Sequence, residues 1–361
     1  MKTIQVKLKE NPYPIYLEYN SVKKIPVYIK KLNPGNFGIV VTSNKIYSLY
    51  KKLINTTFNS RNYKVVKVVD GEKAKSKKWL FHITDEILKA DKLNRKVFVV
   101  CLGGGTIGDL GGFAAAIYKR GTPYIQVPTT LLSQIDASIG GKTAIDLKEA
   151  KNILGAFHQP KAVFIDPTFL STLPSQELKQ GIAEAIKYGV IKDKKFFVFL
   201  KDKYKKIKAL DPSCIMKLIW ICAGIKTKIV AQDEKENKGL RTILNFGHTF
   251  AHALESTMQY TKVSHGQAVA LGMVYAAHLS LTLGKCSKRE VKEITEIIKL
   301  FSLPARLKFS PKALYQSLIY DKKFISGKIR MVLVRKVGQV QVVEGISPKK
   351  IKKTLDFFSL P

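Results

Sequence analysis

Three of the chain's six histidines, His248, His252 and His265, fall within 18 residues. His248 and His252 stand four apart in "LNFGHTFAHALE" (244–255), a segment that reads as helix, so both imidazoles share one face. His265 opens the next helical stretch, "HGQAVALGM". A catalytic zinc takes three protein ligands and leaves one position open, and a carboxylate completes a two-histidine set. The best-placed carboxylate is Glu184 in "GIAEAIKYG". Lys187, one turn on and on the same face, offers the plainer alternative that Glu184 closes a helical ion pair. Asn245 and Arg241 nearby favour a site over satisfied core histidines. Spacing alone permits both His248 and His252 as ligands.

A second stretch with chemical use is "CLGGGTIGDLGGFAAAIY", where Gly103, Gly105 and Gly108 fit G-x-G-x-x-G between a strand and a helix. Glycines there let backbone approach a pyrophosphate at a helix N-terminus. No acid follows about 20 residues later to hold a ribose, as the usual fingerprint requires. The glycines alone are equally consistent with a tight strand-to-helix turn.

Elements must position both stretches. The runs at 37–43, 63–69, 96–103, 124–128 and 162–166 are short, apolar and β-branched, as strands of a parallel sheet covered on both faces are. Helical patterns lie between them, which makes the first half an α/β domain. Beyond "DPTFLSTLPSQEL" the texture changes to long amphipathic stretches at 175–189, 213–232, 244–258, 265–284 and 287–301, opened by Pro174 with Ser175 as N-cap. A hairpin in "KIRMVLVRKVGQVQVVE" and a last helix follow. The expected division is therefore 1–173, an α/β domain, and 174–361, a helical domain.

The chain of 361 residues carries 62 Lys+Arg against 27 Asp+Glu, a formal charge of +35. The lysines are spread evenly, with no basic tail or zinc-finger spacing, so a nucleic-acid role is not expected. A positive field of this kind draws in anionic, phosphorylated substrates. Cys101, Cys214, Cys222 and Cys286 show no paired spacing, the N-terminus lacks a signal-like apolar core, and no run of about 18 apolar residues exists to span a membrane. A cytoplasmic enzyme is the expectation.

Taken in order, "DGEKAKS", "GGGTIGDLGGFAAAIYKRG", "QVPTTLLSQIDASIGGKTAID", "AKNILGAFHQP", "GIAEAIKYG", "DEKENKGLRTILNFGHTFAHALE", "HGQAVALGM" and "DKKFISGKIRMVL" resemble 3-dehydroquinate synthase, of the sugar-phosphate cyclase superfamily, along nearly the whole chain. The resemblance implies a Rossmann-like N-terminal domain that binds NAD and an all-α C-terminal domain that binds metal. The metal would be Zn2+, with Co2+ able to substitute. It makes Glu184, His248 and His265 the metal ligands and moves His252 to the substrate phosphate and proton transfer. NAD contacts carry over to Asp70, Gly71, Glu72, Lys73, Ala74, Lys75, Ser76, Gly105, Thr106, Ile107, Gly108, Asp109, Thr129, Thr130, Lys142, Lys151, Phe169, Leu170, Ser171 and Thr172. Glu72 would take the ribose role that the glycine stretch lacks. Substrate contacts carry over to Asp136, Lys142, Asn152, Lys187, Lys226, Arg241, Asn245, His252 and one of Lys322 or Lys323, of which Lys323 is preferred. Arg120 would reach the neighbouring site of a homodimer.

The implied reaction turns 3-deoxy-D-arabino-heptulosonate 7-phosphate into 3-dehydroquinate and phosphate, the second step of the shikimate pathway. It proceeds by transient oxidation, phosphate elimination, reduction, ring opening and aldol closure. Three departures stand out: Gln267 where the family has Glu, Ser43 where Asn or Asp is common, and one extra residue before Arg241, which bears on the choice of Lys226 over Lys228. Rival readings are a cyclase for another sugar phosphate and a metal-dependent polyol dehydrogenase, which would release NADH.

Overall fold

The computed structural model describes residues 1–59, 61–148, 150–258, 263–320, 324–325 and 328–359. It divides into two compact units: residues 1–173 with 226–235, and residues 174–225 with 236–361. The division near 173 is thus not the only crossing, because the end of one long helix and the turn after it group with the first unit.

The first unit is built on nine strands, β1 (Lys2–Val6), β2 (Tyr13–Leu17), β3 (Phe37–Ser43), β4 (Tyr63–Val68), β5 (Val97–Gly103), β6 (Tyr124–Pro128), β7 (Lys142–Leu147), β8 (Ala150–Phe157) and β9 (Ala162–Ile165). Seven form one sheet in the order β1-β2-β9-β6-β5-β3-β4, parallel except for the β1–β2 pair at one edge. The helices α1 (Ile25–Leu32), α2 (Asn44–Thr57), α3 (Lys77–Asp91) and α4 (Gly105–Ile117) cover it. Strand side chains alternate between two cores. Ile39, Val41, Val99 and Cys101 pack with Leu80, Ile83 and Leu110 on one face, while Val40, Val100, Leu102 and Val127 pack with Ile25, Ile29 and Ile54 on the other. Burial on both faces is why these strands read as unbroken apolar runs. β1, β2 and the antiparallel β7–β8 hairpin lack that signal: β8 is largely exposed, while β7 buries only Thr143, Ala144 and Ile145.

β3 pairs with β4 on one side and β5 on the other, so the strand order reverses between β3 and β5. Ligands of open parallel sheets bind outside the carboxyl ends of strands at such a reversal. The segments Asp70–Ser76, Gly105–Asp109, Thr129–Thr130 and Phe169–Thr172 follow the carboxyl ends of β4, β5, β6 and β9 respectively.

The second unit contains α5 (Ser175–Lys192), α6 (Lys194–Asp202), α7 (Tyr204–Lys208), the first part of α8 (Pro212–Gln232), α9 (His248–Thr257), α10 (His265–Thr282), α11 (Lys288–Leu300), α12 (Pro311–Tyr320) and α13 (Pro348–Phe358). It is helical but not all-α: β10 (Phe324–Ile325), β11 (Lys328–Lys336) and β12 (Gln339–Glu344) form a small antiparallel sheet. Two local readings need correction. Pro174, not Ser175, sits at the N-cap of α5 and supplies no side-chain bond. The helix expected over 244–258 starts only at His248, after a 3₁₀ turn at Leu240–Asn245, because Gly247 takes φ +80°. That left-handed geometry ends the turn and aims a new helix.

α9 and α10 approach at Gly247 and Gly272. A Cβ on Gly272 would collide with the Gly247 carbonyl oxygen, which the α9 entry cannot move without losing its own conformation. Gly272→Ala is therefore expected to cost about 1–3 kcal/mol, the range for overpacked cores, read as a lower urea midpoint. An unchanged midpoint would show that the two helices have slack there.

Candidate active site

Glu184 lies in mid-α5 with its side chain only 1% exposed. An isolated buried carboxylate is costly, so its partners matter. Oε2 pairs with Lys187 Nζ, one turn on. Oε1 faces the Nε2 atoms of His248 at 3.3 Å and of His265 at 3.5 Å. The ion pair and the histidine set are thus not alternatives, since each uses a different oxygen. The ligand-capable atoms of Glu184, His248 and His265 lie within 4.8 Å of one another. Donors about 2.0–2.1 Å from a tetrahedral zinc stand roughly 3.3–3.5 Å apart, so the spacing and the N,N,O chemistry fit that ion.

The backbone explains the convergence. His248 is the first residue of α9 and His265 the first of α10. A Cβ on Gly266 would strike the Gln180 backbone of α5, so glycine there lets the start of α10 lie against α5 one turn before Glu184. Gln267 accepts from the Ser264 N–H at 2.9 Å and from its hydroxyl at 3.1 Å, a capping role that an amide fills as a carboxylate would. Both histidines are also held at Nδ1: His248 donates to the Phe246 carbonyl at 3.2 Å, and His265 to Glu255 Oε1 at 3.2 Å. Glu255 escaped the sequence reading, although its position seven residues after His248 places both on one helical face.

Burial and the surrounding charges decide protonation. Burial opposes ionisation of Glu184, but Lys187 and the histidines outweigh it and hold the carboxyl well below its usual range. Burial, with help from Lys187, lowers His248 despite Glu184. Burial also opposes protonation of His265, yet its bonds to Glu184 and Glu255 prevail and raise it to about 9. The two rings share Glu184 and move in opposite directions because only His265 has a second carboxylate.

Of the remaining second-unit candidates, His252 is exposed, one turn beyond His248, with ring centroids 5.6 Å apart. Arg241 is buried and pairs with Glu236 at 3.2 Å, whereas Asn245 is exposed in the 3₁₀ turn. Lys322 and Lys323 lie outside the described residues.

In the first unit Asp136 sits in a π turn (Ser133–Ala137) and pairs with the buried Lys226, while Lys228 is exposed. Lys75, its side chain 3% exposed, has Asp109 at 2.9 Å, Glu72 at 3.6 Å and Asp146 at 3.8 Å, and it also donates to Asn152 Oδ1. One cation among three carboxylates leaves Asp109 pushed up to about 6, first by burial and then by Glu72 and Asp146, against the pull of Lys75. Asn152 takes φ +53°, and its N–H donates to Asp146 Oδ1 at 2.7 Å. Asp146 was not singled out from the sequence, because nothing local marks it.

α4 opens on Gly105 with Gly104 as a side-chain-free N-cap, so first-turn N–H groups are left for an anion. Glu72 is exposed beside them and accepts from Thr106 Oγ1 at 3.2 Å. The rest of the cofactor set divides. Ala74, Ile107, Phe169 and Leu170 are core residues, and Thr129 is buried. Thr130, Lys142, Lys151, Ser171 and Thr172 are at least partly exposed, as are Gly71, Lys73 and Ser76. Asp70 accepts from the Lys45 N–H at 2.8 Å, and Ser43 accepts from the Ile46 N–H at 3.3 Å as the cap of α2. Arg120 is exposed at the end of a tight turn in which it and Lys119 both take left-handed φ, 63° and 48°.

An enzyme that carries a nucleotide on a parallel sheet and a divalent ion on a helical unit is the class to which these residues point. With a TM-score of 0.87 and 25% identity over 98% of each chain, the structure matches 2-epi-5-epi-valiolone synthase from Streptomyces hygroscopicus, solved with NAD+ and Zn2+ bound. Residues 65–180 match the family model for the 3-dehydroquinate synthase N-terminal region, and residues 181–324 match the C-terminal one. Curated 3-dehydroquinate synthases from Desulforamulus reducens and Nitrosococcus oceani are 40% and 41% identical, covering 98% and 99% of this chain and 99% of each of theirs. The chain belongs to the 3-dehydroquinate synthase family.

Zinc binds neutral imidazole, so its uptake must displace the His265 proton that is present below about pH 9. Titration calorimetry at pH 7 in buffers of different ionisation heat should show zinc binding with release of about one proton. Glu184→Ala, His248→Ala and His265→Ala should each abolish tight uptake, while His252→Ala retains it. In the metal-free protein, a His265 raised from about 6.5 contributes stability below that pH and loses it as pH climbs towards 9.

Proposed function

We propose that this chain converts 3-deoxy-D-arabino-heptulosonate 7-phosphate into 3-dehydroquinate and phosphate, as a cytoplasmic homodimer that uses NAD and Zn2+, with Co2+ able to replace zinc. The observation that carries the reading is the buried Glu184 carboxylate, shared between two imidazoles and Lys187, in a chain of this family. When bound, NAD supplies a reversible hydride acceptor and the metal a Lewis acid, so the sequence of oxidation, elimination and re-reduction leaves no net redox change.

The chain's own groups bind, orient and move protons. Glu184, His248 and His265 hold the metal. The first-turn N–H groups of α4 and the Glu72 carboxylate hold the dinucleotide's pyrophosphate and a ribose. Lys187, Lys226, Arg241, Lys142 and Asn152 take the substrate's carboxylate and phosphate; Glu184 and Asp136 pair with the first two lysines and orient them. The burial of Lys226 and exposure of Lys228 support the former as the substrate contact. His252, exposed beside His248, takes the proton transfer at the phosphate on this reading. A substrate with a carboxylate as well as a phosphate suits this basic set better than a polyol phosphate does. Free cysteines at all four positions and the lack of a membrane-crossing helix among the described residues accord with the cytoplasm.

Incubation with the heptulosonate phosphate, zinc and substoichiometric NAD+ should give phosphate and 3-dehydroquinate far in excess of the cofactor. Stoichiometric NADH without phosphate release would favour a dehydrogenase instead.

Arg120 belongs, on this reading, to the neighbouring subunit's site. Two consecutive left-handed residues other than glycine are unfavourable, and such strain persists where a side chain must be presented. Arg120→Ala and Lys187→Ala chains, each inactive alone, should recover activity when mixed and allowed to exchange, since one mixed site keeps both residues. Confirmed exchange with no recovery would place Arg120 in its own chain's site or in none.

A further inference from the structure

We propose that Glu255 is a positioning residue for the metal site, holding His265 by Nδ1 so that Nε2 stays aimed at Glu184. The proposal rests on the reading that Glu184, His248 and His265 hold zinc. The three side chains are not equally constrained. Glu184 is 1% exposed, His248 12% and His265 33%. His248 is oriented by a backbone carbonyl, that of Phe246, which no side-chain change removes. His265 stands at the first position of α10, where the capping pair Ser264–Gln267 and the close approach of Gly266 fix its backbone but not its ring.

What fixes the ring is Glu255. Its carboxylate is mostly buried, and Oε1 lies 3.2 Å from His265 Nδ1, while Nε2 on the far side of the ring lies 3.5 Å from Glu184. A carboxylate acceptor at Nδ1 selects the tautomer whose Nε2 lone pair is free for a cation. It also makes that nitrogen a stronger donor. Without the acceptor, the most exposed ligand of the three can rotate or present the other tautomer, so the cost should fall on metal affinity and ligand field and not on the fold.

The test uses the full chain, metal-free and zinc-loaded. Zinc affinity is measured by competition with a chromophoric chelator, and the visible bands of the Co2+ form report the ligand field. Glu255→Ala should weaken zinc about 10- to 100-fold, the usual effect of removing such a partner. Glu255→Gln should weaken it less, because the amide oxygen still accepts from Nδ1–H but carries no charge. Both should shift the cobalt bands, and above about pH 9, where His265 is neutral in the metal-free protein, Glu255→Gln should leave the metal-free unfolding midpoint unchanged. If Glu255→Ala fails to fold, Glu255→Gln decides alone. Wild-type zinc affinity and an unshifted cobalt spectrum in the variants would overturn the proposal while leaving the metal site standing. A wild-type chain that takes up no zinc would overturn the metal reading and this proposal together.

Discussion

A carboxylate with 1% of its side chain exposed can remain ionised only if the fold brings cations or donors to it, and Glu184 is that group. Lys187 answers one oxygen from the same helix. The other oxygen is answered by residues 64 and 81 positions further on, which only packing can deliver. Helices α5, α9 and α10 must therefore meet within a few ångströms, and the glycines at their contacts follow from that requirement. Gly247 turns the chain into α9, Gly272 admits its carbonyl, and Gly266 lets α10 lie on α5. A site built this way is paired before any metal arrives. Removing one partner leaves the buried carboxylate short of a counter-group.

The first unit solves a different problem. The segments that the family resemblance assigns to the cofactor are spread over a hundred positions of sequence, yet they follow the carboxyl ends of β4, β5, β6 and β9. A parallel sheet places all those ends along one edge, so short loops after distant strands become neighbours without any loop being long. The Lys75 cluster shows the electrostatic consequence. Three carboxylates surround one buried lysine, and burial, with the charges of Glu72 and Asp146 added, raises Asp109 to about 6. Asp146, by holding the N–H of Asn152, keeps that residue in a left-handed conformation from which its side chain reaches Lys75.

The departures from the family pattern have local structural readings. Ser43 and Gln267 both act as helix caps in this chain, roles open to several short polar side chains or to an amide in place of a carboxylate. Neither removes a charge from the metal set.

Periodicity is a local property, and what is local was legible. Four parallel strands, β3, β5, β6 and β9, appeared as apolar runs because both of their faces are covered, and α11 and α13 bury one stripe each, whereas α10 is buried nearly all round. The density of histidines near 250 marked a candidate metal site, while the glycine turn after β5 fitted a plain strand-to-helix turn equally well. The β7–β8 hairpin, the break at Gly247 and the return of residues 226–235 to the first unit were not legible, since each depends on backbone dihedrals or contacts that composition does not encode. The same holds within the site. Helical spacing put His248 and His252 on one face and could not choose between them as ligands. Only the approach of α10 to α5 set His265 against Glu184, gave Glu184 two sets of partners instead of one, and placed Glu255 behind the ring, because distances between helices are decided by side-chain packing and not by positions along the chain.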